Sequence, residues 1–263
     1  MSKTVWVSVA ETNVGTVRKV NEDHFLQAPD ALIWCVADGM GGHSRGDIAS
    51  QMITQQIHNL IEQSQSNPSI EQIVSCIKSV NHHLVSLSQG SSKIIGSTVA
   101  VLLIENNKAH CIWAGDSRIY RVRDRQIQRM TRDHSQVEDM IDDGLITPEK
   151  AESHPNANII TRAVGACEHL DLEVRSYDLE QTDTFILCSD GLNKVISDLE
   201  LEQFVLGTHL SSVANTLVEK ALTRNATDNI TVLAVANKND DVTNAISHQD
   251  LMSDMTLPFN HMQ

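Results

Sequence analysis

The stretch LIWCVADG, residues Leu32 to Gly39, is a continuous apolar run that leads directly into an Asp-Gly pair. An apolar run of this length, ended by a turn dipeptide, predicts a buried strand. The same arrangement recurs where the apolar runs at 111–115 and 185–189 lead into Asp116 and Asp190. Asp228 stands just before a further apolar run at 230–236. Aspartates therefore mark the ends of several predicted strands.

Strand ends from distant parts of a sequence can meet at one edge of a β-sandwich. The carboxylates of Asp38, Asp116, Asp190 and Asp228 could not all stay charged there without a cation, because like charges repel at close range. Carboxylate oxygens suit hard divalent ions such as Mg²⁺ or Mn²⁺. A single Asp-Gly is more often an ordinary turn, but the recurrence of the pattern favours a metal site.

Two further segments carry residue types that suit phosphate chemistry. Arg18 begins the segment RKVNED, which ends at Asp23, and arginine can bind phosphate through two parallel hydrogen bonds. Alone, this segment is more often a surface loop of mixed charge. The glycines of GMGGH, residues 39–43, allow the backbone to approach a metal or phosphate closely, or serve a loop with positive φ.

The periodicity of the remaining sequence predicts an α+β sandwich with sheet packed on sheet and helices outside. Apolar residues from Ile48 to Ile61 and from Ile70 to Leu84 recur at helical spacing and predict an antiparallel helix pair, the second helix opening at Asn67-Pro68. Further strands are predicted at 5–10, 97–104, 109–114, 119–122, 184–189 and 230–236, and a further helical face at 213–221. Asn106-Asn107 predicts a hairpin turn. Ser135 with Glu138, and Ser197 with Glu200, have the spacing of capping boxes.

Composition narrows the class of protein. The 263-residue chain is 41% hydrophobic, as is usual for a globular protein. Its net charge of −14 does not suit binding to nucleic acid or to an anionic membrane surface, because both are negatively charged. It contains no apolar run long enough to span a membrane and no signal peptide, which predicts a cytoplasmic protein. The five cysteines lack metal-ligand spacing, and Cys35, Cys111 and Cys188 are predicted to be core thiols.

Polarity divides the chain into one domain and a tail. Residues 1–238 are predicted to form the domain, and the polar segment 239–263 is predicted to be a flexible tail outside the core. Residues 136–160 have little apolar content and predict a mobile flap. A monomer is the default expectation.

Seven short motifs follow one another along the chain. They are Arg18-x-x-Asn21-Glu22-Asp23, Ala37-Asp38-Gly39-Met40-Gly41-Gly42, Gly96-Ser97-Thr98, Gly115-Asp116-Ser117-Arg118, Thr161-Arg162-Ala163-Val164-Gly165, Cys188-Ser189-Asp190-Gly191-Leu192 and Asp228-Asn229-Ile230-Thr231. Each motif alone is weak, but their order along residues 5–236 is specific. Taken in order, these motifs resemble the PPM family (PP2C type) of metal-dependent protein phosphatases, particularly its compact bacterial members. The resemblance also implies that the flap at 136–160 borders the site.

The resemblance implies a four-layer αββα sandwich with two tightly bound Mn²⁺ or Mg²⁺ ions and a possible third. In such a site Asp38 would bridge two ions, and Gly39 would offer its backbone carbonyl. Asp190 and Asp228 would complete the first site, and Asp116 would join Asp190 at the third. Arg18 would bind the substrate phosphate and Glu22 would hold a metal-bound water. Asn229 would support the site without ligating an ion.

The implied reaction is hydrolysis of phosphoserine and phosphothreonine in proteins by a hydroxide that bridges the metals. Met40 stands where many eukaryotic members have a histidine proposed as general acid, so the proton donor is open. His43 is a weak alternative, and His134 is predicted to have a hydrogen-bonded structural role. The expected partners are phosphorylated proteins, including a Hanks-type Ser/Thr kinase.

Two alternatives belong to other classes of function. One is an inactive pseudophosphatase that binds phosphorylated partners, which the presence of every expected aspartate disfavours. The other is a phosphomonoesterase for small molecules, which a substrate panel would separate from a protein phosphatase.

Overall fold

The computed structural model describes residues 5–40, 45–89, 94–151 and 154–238. The strands are β1 (Trp6–Asn13), β2 (Asp23–Ala28), β3 (Ile33–Met40), β4 (Gly96–Ser97), β5 (Val99–Glu105), β6 (Lys108–Ala114), β7 (Arg118–Arg123), β8 (Gln126–Arg129), β9 (Glu173–Asp178), β10 (Thr184–Cys188) and β11 (Ile230–Asn237). The helices are α1 (Gly46–Gln63), α2 (Ile70–Ser88), α3 (Gln136–Asp142), α4 (Pro148–Ala151), α5 (Asp190–Asn193), α6 (Asp198–Gly207) and α7 (Leu210–Thr223).

Two antiparallel sheets pack face to face between layers of helices. One sheet has the order β1-β11-β10-β7-β8, and the other has the order β2-β3-β5-β6-β9 with β4 paired to β3. Trp34 and Trp113 from one sheet and Phe185 from the other meet in a fully buried core between them. Helices α1 and α2 cover the outer face of the second sheet, and α6 and α7 cover that of the first. The predicted αββα sandwich is confirmed.

The helix pair agrees with its predicted periodicity except at two positions. Ala49, Ile53 and Ile57 form the fully buried stripe of α1, whereas Ile48 is 42% exposed, so its predicted place on the buried face is wrong. One residue step turns a helix by about 100°, which carries Ile48 away from that stripe. The predicted start of α2 at Asn67-Pro68 is also wrong. Ser69 caps the helix because its side chain and that of Gln72 exchange hydrogen bonds with each other's backbone.

The predicted hairpin turn and one of the two predicted capping boxes form in full. Asn106 and Asn107 have φ of 51° and 59° in the turn between β5 and β6, as a tight hairpin requires. The capping box of Ser197 is complete at the start of α6. Ser135 caps α3, but the carboxylate of Glu138 binds Arg129 instead of returning to the cap, so that capping box is only half formed.

Strands β2, β8 and β9 are not predicted by the sequence patterns. None of them is buried on both faces, so none carries a continuous apolar run. Each pairs with a better buried neighbour, which supplies the hydrogen-bonding partner that defines the strand. Cys35, Cys111 and Cys188 are buried and free, as predicted, and burial raises the pKa of Cys111 to about 12.

Two further predictions concern the C-terminal tail and membrane-spanning helices. The tail 239–263 lies outside the described residues, so the domain boundary at 238 stays a prediction. Within the described ranges, no helix combines the length and the apolar character needed to cross a bilayer.

Candidate metal centre and active site

The predicted site residues come together around one cavity of about 350 Å³ at an end of the sandwich. All eight residues predicted for metal, phosphate or supporting roles line it. The lining residues are Arg18, Glu22, Asp38, Gly39, Met40, Thr98, Asp116, Asn158, Ile160, Asp190, Lys194, Asp228 and Asn229.

Sheet topology explains why aspartates so far apart in sequence meet here. Strands β3 and β6 are both antiparallel to β5, so the end of β3 at Asp38 and the end of β6, just before Asp116, lie at the same end of one sheet. In the other sheet β10 runs antiparallel to β11, so the end of β10 at Asp190 lies beside the start of β11 at Asp228. Because the two sheets are stacked, the two edges form opposite walls of the cavity.

The carboxylates around the cavity disfavour one another's charge. Burial raises the pKa of Asp38 well above its usual value, and the negative charges of Asp23 and Asp190 raise it further. Burial, together with Asp190, raises the pKa of Asp116 to about 7. The pKa of Asp190 is also raised, chiefly by burial, although Lys194 opposes the rise. A divalent cation would stabilise the charged forms of all these groups.

The donor set fits Mg²⁺ or Mn²⁺, since it consists of carboxylate oxygens with a backbone carbonyl at Gly39. Within the described residues, Oδ1 of Asp190 is buried and has no hydrogen-bond partner, which leaves one ligand oxygen available. No three His, Cys, Asp or Glu side chains of the described chain already surround a single point as a ready-made metal site. Two basic side chains, Arg18 and Lys194, pair with Asp228 and Asp190 instead.

Gly39 has no room for a side chain. A Cβ placed on it would lie 2.2 Å from the carbonyl oxygen of Gly46 and 2.6 Å from that of Glu22. The close approach of these backbone segments holds the end of β3 against the start of α1. The glycine is therefore required by packing as well as by any ligand role of its carbonyl.

Glu22 and Asn229 fix the segment that follows Arg18. The amide oxygen of Asn229 accepts from the Glu22 N–H at 2.8 Å, while its Nδ2 donates to the carbonyls of Val14 and Val20. Oε1 of Glu22 accepts from the N–H of Gly46 at 3.1 Å. These contacts give Asn229 a supporting position, and they place the Glu22 carboxylate at the start of α1.

Asp23 is a functional candidate whose role the sequence motif did not reveal. Its buried Oδ2 accepts hydrogen bonds from Ser189 and from Thr231, each at 2.7 Å. Asp23 lies opposite Asp38 in the β2–β3 register, whereas Ser189 and Thr231 belong to the other sheet. Burial raises the pKa of Asp23 to about 7. The carboxyl therefore ties the two sheets together behind the aspartates.

Of the histidines considered, only His134 can be placed, because His43 lies outside the described residues. The N–H of Gly115 donates to Nδ1 of His134 at 3.2 Å, and Nε2 lies 3.2 Å from the carboxylate of Glu173. Its ring stacks on Trp113 with the centroids 5.8 Å apart. The predicted hydrogen-bonded structural role of His134 is confirmed.

Part of the segment 136–160 borders the site, as the resemblance implied. Asn158 and Ile160 line the main cavity, and this segment also covers a neighbouring cavity of about 390 Å³. Asp116, Asn158, Asp190 and Lys194 line both cavities. A substrate bound over the aspartates would therefore contact this segment.

This sandwich with an aspartate-lined cavity at one end is the architecture of a metal-dependent phosphatase. A family model described as protein phosphatase 2C matches residues 16–230. The chain therefore belongs to the protein phosphatase 2C family, and the resemblance noted in its sequence is confirmed.

Individual relatives agree with this assignment. Protein phosphatase PhpP of Streptococcus pneumoniae (strain D39) is 34% identical over 238 residues, which cover 88% of this chain and 97% of that protein. A solved structure of PppA, described as a key regulatory component of T6SS in Pseudomonas aeruginosa, has a TM-score of 0.80 and 38% identity, covering 89% of this chain and 98% of that one. The catalytic domain of PstP in complex with 2 manganese ions has a TM-score of 0.79 and 26% identity, covering 89% of this chain and 99% of that one.

Proposed function

We propose that this chain hydrolyses phosphoserine and phosphothreonine in proteins, using Mn²⁺ or Mg²⁺ held by its aspartates. The observation that carries the proposal is the convergence of Asp38, Asp116, Asp190 and Asp228, from both sheets, on one cavity. The relatives are named as protein phosphatases, and one was solved with manganese, which supports the same activity and cofactor here. Neither a pseudophosphatase nor a small-molecule phosphomonoesterase gains support from these observations.

The family resemblance supplies the residue roles, and the position of these residues around the cavity supports them. Asp38, Asp190 and Asp228, with the carbonyl of Gly39, would hold two ions, which when bound supply an acidified water and offset phosphoryl charge. Arg18 is half-exposed at the cavity and forms an ion pair with Asp228. It would release Asp228 and bind the substrate phosphate instead. Glu22 would orient water through its carboxylate, while Asn229 keeps the Glu22 backbone in place. Asp116 lines both the metal cavity and the neighbouring cavity.

Met40 lines the cavity and has no ionisable group. The proton required by the leaving serine or threonine oxygen would therefore come from solvent water or from another side chain of the site. The bound ions would offset the charge on the phosphoryl oxygens, and Arg18 would bind the same group as the seryl or threonyl oxygen leaves.

The biological setting extends the same proposal. Phosphorylated proteins are the substrates, and a Hanks-type Ser/Thr kinase is the expected opposing partner. We place the enzyme in the cytoplasm as a monomer. The similarity to PppA supports secretion-system regulation as one pathway in which such an enzyme would act.

Hydrolysis of a phosphothreonine peptide by the purified chain, with and without Mn²⁺, tests the proposed function. We expect Mn²⁺-dependent phosphate release that a chelator stops and that Asp38→Asn and Asp190→Asn each reduce by about 100-fold or more, equivalent to at least about 2.7 kcal/mol of barrier. The matched control is Asp178→Asn, which alters an exposed aspartate paired with Lys108. A wild type that binds Mn²⁺ without turnover would favour the pseudophosphatase, and activity confined to small phosphomonoesters would favour the second alternative.

A further inference from the structure

Lys194 is a cation built into the metal cavity, and no role in the proposed reaction accounts for it. It directly follows helix α5, four residues after Asp190, so its side chain reaches back over one helical turn. Its Nζ forms an ion pair with Oδ2 of Asp190 and lies 3.8 Å from Oδ2 of Asp228. The side chain is 36% exposed, which leaves it mostly within the cavity wall.

The ammonium contacts only part of the Asp190 carboxylate. Oδ2 of Asp190 carries the ion pair, whereas Oδ1 is buried and has no hydrogen-bond partner in the described parts of the chain. Oδ1 can therefore serve an ion of the main pair, while Oδ2 is already neutralised. Any additional ion that needed Oδ2 would have to displace Lys194 first.

Lys194 also faces the region between Asp190 and Asp116. It lines both the main cavity and the neighbouring cavity, and Asp116 and Asp190 line the same two cavities. Asp190 with Asp116 is the pair that the family resemblance assigns to a third, weaker ion.

We propose that the ammonium of Lys194 takes the place of a third divalent ion beside Asp190 and Asp116, so that this site binds two ions and resists a third. The inference rests on the proposed metal-dependent function and deepens it. Lys194 is a positioning residue here, because it acts by compensating the charge of Asp190 rather than by touching the substrate. The same positive charge is supplied whatever the concentration of free metal.

Metal-binding stoichiometry tests this directly, without activity as the readout. Mn²⁺ is titrated into the full chain by calorimetry, with free Mn²⁺ followed by electron paramagnetic resonance, for the wild type, Lys194→Met, Lys194→Arg and Lys108→Met. Lys108 is the matched control, since it forms an exposed ion pair with Asp178 outside the cavity. We expect two ions in the wild type, in Lys194→Arg and in Lys108→Met. In Lys194→Met a third ion should bind at least about tenfold more tightly than in the wild type.

Asp116→Asn provides a second measurement that does not depend on the stability of Lys194→Met. In the wild-type background it should leave the number of bound ions unchanged, and in Lys194→Met it should remove the gained ion. Equal third-ion affinity in the wild type and Lys194→Met would overturn the inference, as would a third wild-type ion that Asp116→Asn removes. Loss of all Mn²⁺ binding in the wild type would instead overturn the proposed function, and this inference with it.

Discussion

Arg18 lies at the rim of the metal cavity with an ionic partner that a phosphate could replace. Its Nη2 donates to Oδ2 of Asp228 at 2.9 Å, and its side chain is 52% exposed. An exposed ion pair contributes little to stability, so releasing Asp228 costs little. The guanidinium is thus placed for two parallel hydrogen bonds to a phosphoryl group, which an ammonium cannot form.

Arg18→Ala and Arg18→Lys should both reduce kcat/KM for a phosphothreonine peptide. We expect a loss of about 10- to 100-fold for Arg18→Ala, equivalent to about 1.4–2.7 kcal/mol, and a smaller loss for Arg18→Lys, which keeps the charge. Steady-state kinetics at saturating Mn²⁺ measures both. Mn²⁺ affinity, measured in parallel, should change little because Arg18 is not a ligand. Unchanged kcat/KM in Arg18→Ala would refute phosphate binding by this residue.

His134 makes folding sensitive to acid, because it accepts the Gly115 N–H at Nδ1. Burial lowers the pKa of His134 in the folded state below its value in the unfolded chain. The unfolded state therefore binds the proton first as pH falls, and the free energy of unfolding decreases from about pH 6.5 downward. Above that pH both states are neutral and the contribution is constant.

The variant His134→Asn retains an acceptor near Nδ1 but cannot titrate. Its free energy of unfolding, measured by urea denaturation between pH 5 and 8, should decrease less on acidification than that of the wild type. The control is His169→Asn, because His169 and its partner Asp171 are both exposed. This variant should show the same dependence of the free energy of unfolding on pH as the wild type. Identical slopes in wild type and His134→Asn would show that other groups carry the acid sensitivity.

At the scale of elements, the start of α6 is fixed by side chains that are close in sequence. The Ser197 hydroxyl accepts a hydrogen bond from the Glu200 N–H, and the Glu200 carboxylate accepts one from the Ser197 N–H. The same carboxylate binds Arg224, which follows α7, so the cap also links two helices. The capping box therefore contributes to packing as well as to helix initiation.

Ser197→Ala should lower the free energy of unfolding by about 1 kcal/mol, because it removes the acceptor for the N–H of Glu200. Ser197→Asp supplies another acceptor and should retain most of the stability. Urea denaturation of the two variants and the wild type gives the comparison. Equal stability of Ser197→Ala and wild type would mean that the Glu200–Arg224 pair alone determines the start of α6.

At the scale of the whole molecule, the metal cavity lies at the junction of the two sheets. Asp38 lies in β3 of one sheet, Asp190 and Asp228 flank β10 and β11 of the other, and Asp116 lies in the connection from β6 to β7, which joins the two sheets. Asp23 links the same two edges through Ser189 and Thr231. Ions bound by carboxylates from both edges would connect the sheets and relieve the repulsion between the buried carboxylates.

Mn²⁺ should therefore stabilise the folded chain, and its removal should destabilise it. At a free concentration about 100 times Kd, one bound ion adds about 2.7 kcal/mol to the free energy of unfolding. Thermal unfolding with Mn²⁺ and with chelator measures the shift in Tm. The shift should be strongly reduced in Asp38→Asn, which loses the proposed bridging ligand, and retained in Asp178→Asn. A Tm independent of Mn²⁺ would contradict a site that joins the two sheets.

The fold class and most of the site could be predicted because their signals are local. The apolar residues before Asp38, Asp116 and Asp190 are buried within their strands, so the sequence shows both the strand and its end. The predicted hairpin at Asn106-Asn107 has the positive φ that such turns require. The start of α2 was misplaced because Ser69, rather than Asn67, forms the reciprocal pair with Gln72.

The sequence by itself determined the α+β sandwich class, the ends of the site-bearing strands and the residue types that suit a divalent metal. Tertiary structure alone decided which charges oppose and which compensate one another. Asp23 meets its partners across 166 and 208 residues of sequence. Lys194 belongs to the cavity because α5 lies where both sheets end. Local sequence specifies strands and caps through short-range sterics and burial, whereas the electrostatics of the site arise from distances that exist only after the sheets have packed.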